Sequence, residues 1–157
     1  MLFGGKVEKI LKSEKGERAI FNIHMLLQPI FELNPDKLSH PERTFSYIEE
    51  LEDAVNCDGF QLFFYNEAGN HTHEIIEALK EVKSVEFLRI TEAAVKLFPE
   101  GKVPKDRDER NNIQEKIEEN PNAEQLWNEL DNEFFKYDED IHVLLLTYVK
   151  ENIKEFR

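Results

Sequence analysis

The sequence predicts an all-α protein, a compact single-domain bundle of about seven to nine helices. Apolar residues step at three and four positions through most of the chain, and turn signals fall at helix-sized intervals. Only one segment, Asp58-Gly59-Phe60-Gln61-Leu62-Phe63-Phe64-Tyr65-Asn66, has the character of a strand. A lone strand would leave its backbone unpaired, so this aromatic block is read as a short buried helix.

The elements follow in order. Ile20, Ile23, Leu27, Ile30 and Phe31 share one face of a helix that ends near Asn34-Pro35. After the Ser39-His40-Pro41 turn, Phe45, Ile48, Leu51 and Val55 repeat the pattern and place Glu49, Glu50 and Asp53 on the polar side. Asn66 to Asn70 is loop chemistry, and Ile75, Ile76, Leu79 and Val82 open the next stripe. Ser84 caps a helix carrying Phe87, Leu88, Thr91, Ala94, Val95 and Phe98, which Pro99 and Gly101 end. Asp106 with Glu109 three residues on reads as a helix start, since an Asp cap accepts free backbone amides. Asn120-Pro121-Asn122 breaks the chain before Leu126, Trp127, Leu130, Phe134 and Tyr137, and Ile141 to Ile153 forms the last helix.

The 157 residues, 40% of them hydrophobic and including twelve Phe, suffice for one core without disulfide or metal staples. A single cysteine, Cys57, and an N-terminus with no long apolar stretch point to the cytoplasm. No run of about 18 apolar residues occurs, which argues against a transmembrane helix.

A net charge of −13 disfavours nucleic acid or an anionic membrane as a direct partner and permits a basic one. The charge is uneven. In the first twenty residues Lys6, Lys9, Lys12, Lys15 and Arg18 outnumber Glu8, Glu14 and Glu17, whereas from Glu115 to Asp140 ten acids face only Lys116 and Lys136. Solubility alone also accounts for moderate acidity. Asp138-Glu139-Asp140 reads as helix-capping chemistry, and Asp106 with Arg110 as a helix-supporting pair.

Three segments in this order resemble a known family: Gly59 to Asn66; Leu97-Phe98-Pro99 leading to Pro104 through Arg110; and Leu130-Asp131-Asn132-Glu133-Phe134-Phe135. They resemble the bacterial DNA-mimic protein family over roughly residues 40–157. The resemblance implies an all-helical, often dimeric, acidic protein that occupies the DNA-binding surface of a transcription regulator, with no catalytic role and no cofactor. Residues 1–17, a basic arm or helix, have no counterpart in that pattern, so the expected DNA-mimic-like domain spans 18–157.

Mimicry requires carboxylates spaced somewhat like phosphates, which repeat at about 3.4 Å of rise along one strand. Acids three or four apart on a helix lie about 4.5 to 6 Å apart along its axis. Glu49 with Asp53, Glu115 with Glu118 and Glu119, and Glu129 with Glu133 have this spacing and form the expected partner-binding surface. The expected partner is a basic protein, either a DNA-binding regulator or a nuclease that this chain neutralises.

Two other classes stay open. His71 and His73, with Glu74 and with Asp58 or Cys57, offer zinc-accepting ligand types for a metal-dependent hydrolase. They lack a recognised zinc spacing, and positions two apart diverge around a helix, so an exposed loop and first turn is the expected setting and no metal site is assigned. His24, His40 and His142 are isolated in sequence. Phe135, Tyr137 and Phe156 would serve a structural homodimer or scaffold if exposed, or complete the monomer core if not.

Overall fold

A computed structural model describes residues 5–156. The chain forms α1 (Lys6–Ser13), α2 (Gly16–Leu33), α3 (His40–Tyr65), α4 (Thr72–Glu81), α5 (Glu86–Val95), α6 (Arg107–Glu118), α7 (Pro121–Phe135) and α8 (Ile141–Glu151), with three short 3-10 segments between them and a fourth after α8. Among the described residues there is no strand. The predicted all-α class and helix number both hold. Residues 1–4 of the expected N-terminal arm lie outside the described residues; the remainder is mostly helix α1, which packs on α2 and buries Val7.

Helix starts follow the capping chemistry. Ser39 and Glu42 form a reciprocal capping box at α3: the Glu42 amide donates to Ser39 Oγ and the Ser39 amide to Glu42 Oε2. Asp106 accepts the Glu109 amide at 2.8 Å, and Asn120 accepts the Asn122 amide at 3.0 Å. Ser84 departs from its expected role. Its hydroxyl donates to Glu139, whose other oxygen accepts the Val85 amide at 3.0 Å, so an acid from the loop before α8 caps α5 across the fold. Only Asp140 of the 138–140 run caps its own helix, accepting the Val143 amide at 3.1 Å.

Helix α3 is the centre of the bundle, in contact with α2, α4, α6, α7 and α8. The aromatic block is its C-terminal part rather than a separate helix. At Gly59 the backbone leaves helical geometry, with φ 79° and ψ 176°, and resumes at once. This combination is accessible essentially to glycine alone. The Phe60 amide, released from the helical ladder by the break, donates to Asp131 Oδ1 of α7 at 2.8 Å. Beyond the break, Phe60, Phe63 and Phe64 are fully buried. Phe60 meets Phe134 edge-on at 5.8 Å, and Phe64 meets Phe98 at 4.9 Å and Trp127 at 5.9 Å. Such aromatic pairs add to the stabilisation from area burial.

Arg110 of α6 locks the end of α3. The side chain is fully buried and donates to the carbonyls of Phe64, Asn66, Pro104 and Lys105 at 2.5–3.1 Å. Its guanidinium thus ties the Phe64 carbonyl, one that the end of α3 leaves free, to the loop carbonyls after α3 and before α6. Asp106 caps α6 and does not pair with Arg110, which corrects the expected i,i+4 ion pair.

Candidate functional site

A cleft of about 790 Å³ opens between α2, the first half of α3 and the start of α8. Glu17, Phe21, His24 and Met25 come from α2; Glu49, Glu52, Asp53 and Asn56 come from α3; Tyr137, Glu139 and Asp140 precede α8, and His142 lies in its first turn. Amphipathic logic explains why α3 presents acids here: its apolar stripe packs inward, and the intervening polar positions fall in the gap between α2 and α8.

Glu49 and Glu52 are each only 7% exposed. Glu52 Oε2 accepts the Tyr137 hydroxyl at 3.0 Å and lies 2.9 Å from His142 Nε2, while Asn56 Nδ2 donates to the Tyr137 hydroxyl at 2.7 Å. His24 Nε2 lies 3.4 Å from Asp53 Oδ2, and its Nδ1 lies 4.0 Å from Glu49 Oε2. Glu49 Oε1 and Glu52 Oε1 are buried with no hydrogen-bond partner in the protein.

Burial, reinforced by the neighbouring Glu52 charge, pushes Glu49 up to about 8. The imidazoles move up as well: His24 through its hydrogen bond with Asp53, and His142 through that with Glu52. Burial raises the Tyr137 phenol above its ordinary range. Near neutral pH the buried Glu49 carboxyl therefore keeps its proton, and His142 and His24 face the Glu52 and Asp53 carboxylates.

The predicted surface residues divide into three groups. Glu49 faces inward, which corrects its expected place on a solvent row; the reason is that α3 is covered by neighbours on every side that carries it. Asp53 stays exposed at the cleft rim. Glu115, Glu118 and Glu119 are exposed at the end of α6, where Glu118 Oε1 accepts from the Gln61 and Gln114 amides at 3.1 Å. On α7, Glu129 is exposed and accepts from Gln125, while half-buried Glu133 pairs with Arg89 at 2.6 Å.

His71 and His73 are not brought together. His71 Nδ1 lies 2.8 Å from Glu50, with its ring against Phe31 and Tyr47, whereas His73 Nε2 meets the Val103 carbonyl at 3.0 Å. Among the described residues no group of three or more His, Cys, Asp or Glu side chains is placed to hold a metal ion. Of the three aromatics considered for a dimer face, only Phe135 is exposed: Phe156 packs on Phe45 in the core and Tyr137 is held at Glu52. No described helix is long and apolar enough to cross a membrane.

Sequence reasoning missed Glu52, Tyr137 and His142 as members of one site. His142 and Glu52 meet across 90 positions, and no local spacing announces such a contact. The available signal was the pair Glu49 and Glu52, three apart on one helix.

The fold and these groups define an acidic, all-helical domain. The chain belongs to the DMP19-like protein family, whose family model matches residues 36–152; this is the DNA-mimic family that the sequence resembles. The family is not a known enzyme family. The matched span takes in α3 to α8 and leaves the α2 wall of the cleft outside it. No curated protein and no solved structure is found to match the chain.

Proposed function

We propose that this protein is a non-enzymatic, cytoplasmic acidic binding protein that imitates DNA and occupies the basic DNA-binding surface of a transcription regulator or a nuclease. The observation that carries the proposal is the set of exposed carboxylates at the end of α6 and on α7, in a chain of net charge −13 that belongs to the DMP19-like family. Glu115 and Glu119 stand at helix spacing and Glu129 is exposed on α7, where carboxylates can meet Lys and Arg side chains that otherwise hold phosphates. The opposite faces of the same helices are turned inward, with Gln114 of α6 and Trp127 and Phe134 of α7 buried, so the acidic faces are available to a partner.

The test is binding of the purified protein to a DNA-binding regulator captured from the native cell, followed over a salt series and in competition with that regulator's operator duplex. Mimicry predicts affinity that falls steeply with salt and mutual exclusion with DNA. A ternary complex with DNA, or affinity indifferent to salt, would overturn it.

A further inference from the structure

We propose that the outward face of α5, together with the α4–α5 turn, is a docking groove for an acidic, amphipathic helical segment of a partner protein. This second surface is opposite in charge to the exposed acidic faces and stands whether or not those faces imitate DNA.

The sequence places one stripe there. Val85, Leu88, Arg89, Glu92 and Lys96 recur at three and four positions, so they share one side of α5, which rises about 16 Å from Val85 to Lys96. The opposite side carries Phe87, Ile90 and Ala94 into the core. With Lys80 of α4 and Lys83 of the turn, the stripe lines a groove of about 450 Å³, in which Val85 is 70% exposed. Four of the lining residues are basic and only Glu92 is acidic, in a chain of net charge −13.

Two of the four bases are already paired: Lys80 with Glu77 at 3.0 Å, and Arg89 with Glu86 at 3.0 Å and Glu133 at 2.6 Å. Lys83 and Lys96 have no side-chain hydrogen bond or ion pair among the described residues. Lys83 also stands in a conformation that favours glycine, with φ 63°. Its amide donates to the Lys80 carbonyl at 3.1 Å and the Ser84 amide to the Leu79 carbonyl at 3.0 Å, the double closure of a helix followed by a left-handed residue. Glycine would close α4 without strain; lysine closes it at a backbone cost and sets an ammonium at the end of the groove.

The chemistry selects the occupant. An apolar floor with a basic rim suits apolar side chains flanked by carboxylates on one face of a helix. The two unpaired ammonium groups stand near opposite ends of the stripe, so they meet two carboxylates about three helical turns apart rather than one phosphate. A nucleic-acid backbone would also run against Glu77, Glu86 and Glu133, which repel it.

The experiment titrates a helical peptide of about sixteen residues, with leucines at three- and four-residue spacing between two glutamates on the same face, into the isotope-labelled full chain. The acidic peptide should saturate amide NMR shifts in residues 80–97. Its glutamine analogue should bind at least about threefold more weakly at low salt, and its lysine analogue should leave those residues unmoved. Lys83→Gly should weaken the peptide about two- to fivefold with the melting temperature unchanged or raised, because it removes the charge and the strain together. Lys96→Gln should weaken it about as much. Val85→Ser leaves every charge in place and should also weaken it about two- to fivefold, which a purely electrostatic attraction would not produce. Equal binding of the glutamate and glutamine peptides, shifts centred elsewhere, or binding unchanged in all three variants would overturn the assignment. So would groove shifts that appear only on raising the protein's own concentration, or only with phosphatidylglycerol vesicles, since the occupant would then be a second copy of the chain or a membrane.

Discussion

The Asp131 carboxylate occupies the space that a side chain at position 59 would need, and one of its oxygens accepts the Phe60 amide at 2.8 Å. Gly59 and Asp131 thus act as one unit that breaks α3 and caps its second segment from α7. Burial raises the Asp131 carboxyl above its ordinary value while the Phe60 amide opposes that rise.

Gly59→Ala should therefore destabilise the fold by about 1–3 kcal/mol from the backbone conformation alone, with overlap against Asp131 added. Asp131→Ala should cost about 1–3 kcal/mol by stranding a helix-terminal amide, and Asp131→Asn less, because its carbonyl oxygen can still accept. Urea denaturation of the three variants checks this order. Equal losses for Asn and Ala at 131 would show that the amide bond is not what the carboxylate contributes.

Arg110 is fully buried with four carbonyl partners and no carboxylate. Burial lowers its pKa, and the nearby Arg107 charge acts in the same direction. A Cβ at Gly69 would lie 2.7 Å from Arg110 Nε, so the glycine makes room for the guanidinium. Arg110→Ala should cost about 3 kcal/mol or more, since it leaves several buried carbonyls unpaired. Lysine should rescue only part of this, because a point donor cannot span the set. The melting temperatures of both variants give the comparison.

These two contacts explain what the sequence resemblance consists of. Gly59 to Asn66, Pro104 to Arg110 and Leu130 to Phe135 are the segments that touch one another around the end of α3, so the recognisable residues are structural. The helices were legible because apolar spacing and caps are local. The cleft was not, because His24, Glu52 and His142 come from three helices, and the polar side of α3 reads as a solvent face unless its neighbours are known. Glu49 shows the error most plainly: its spacing to Asp53 is that of an exposed row, and its environment is a buried floor.

Stability should fall as pH rises, and Glu49 should account for much of the fall. Its pKa rises from 4.5 to about 8 on folding. Between those values the folded protein retains a proton that the unfolded chain has released, so the contribution is intact below the unfolded pKa and is lost as pH rises through the folded one. The window is worth at most about 5 kcal/mol at about 1.4 kcal/mol per unit. His24 and His142, also raised, lose their contributions in the same direction above their ordinary 6.5. Denaturation midpoints measured from pH 5 to pH 9 should decline less in Glu49→Gln than in the native protein, with the variant more stable at the alkaline end. Parallel curves would show that the buried carboxyl does not govern the slope.

The exposed acids should differ in their effect on partner binding according to whether the chain already neutralises them. Glu115 and Glu119 are exposed at the end of α6, whereas Glu133 is held by Arg89 at 2.6 Å. A carboxylate that must exchange Arg89 for a partner's cation gains less than one that meets the partner directly. Glu115→Gln and Glu119→Gln should each weaken binding to a DNA-binding regulator about 1.5- to fivefold at low salt, the range of exposed ion pairs. They should also flatten the salt dependence, since each removes a screened charge contact. Glu133→Gln should have a smaller effect on both, because Arg89 already offsets its charge. Surface plasmon resonance across a salt series measures the affinities and slopes together. If Glu133→Gln weakened binding most, the partner would compete for Glu133 despite Arg89, and α7 rather than the end of α6 would be the centre of the mimic surface.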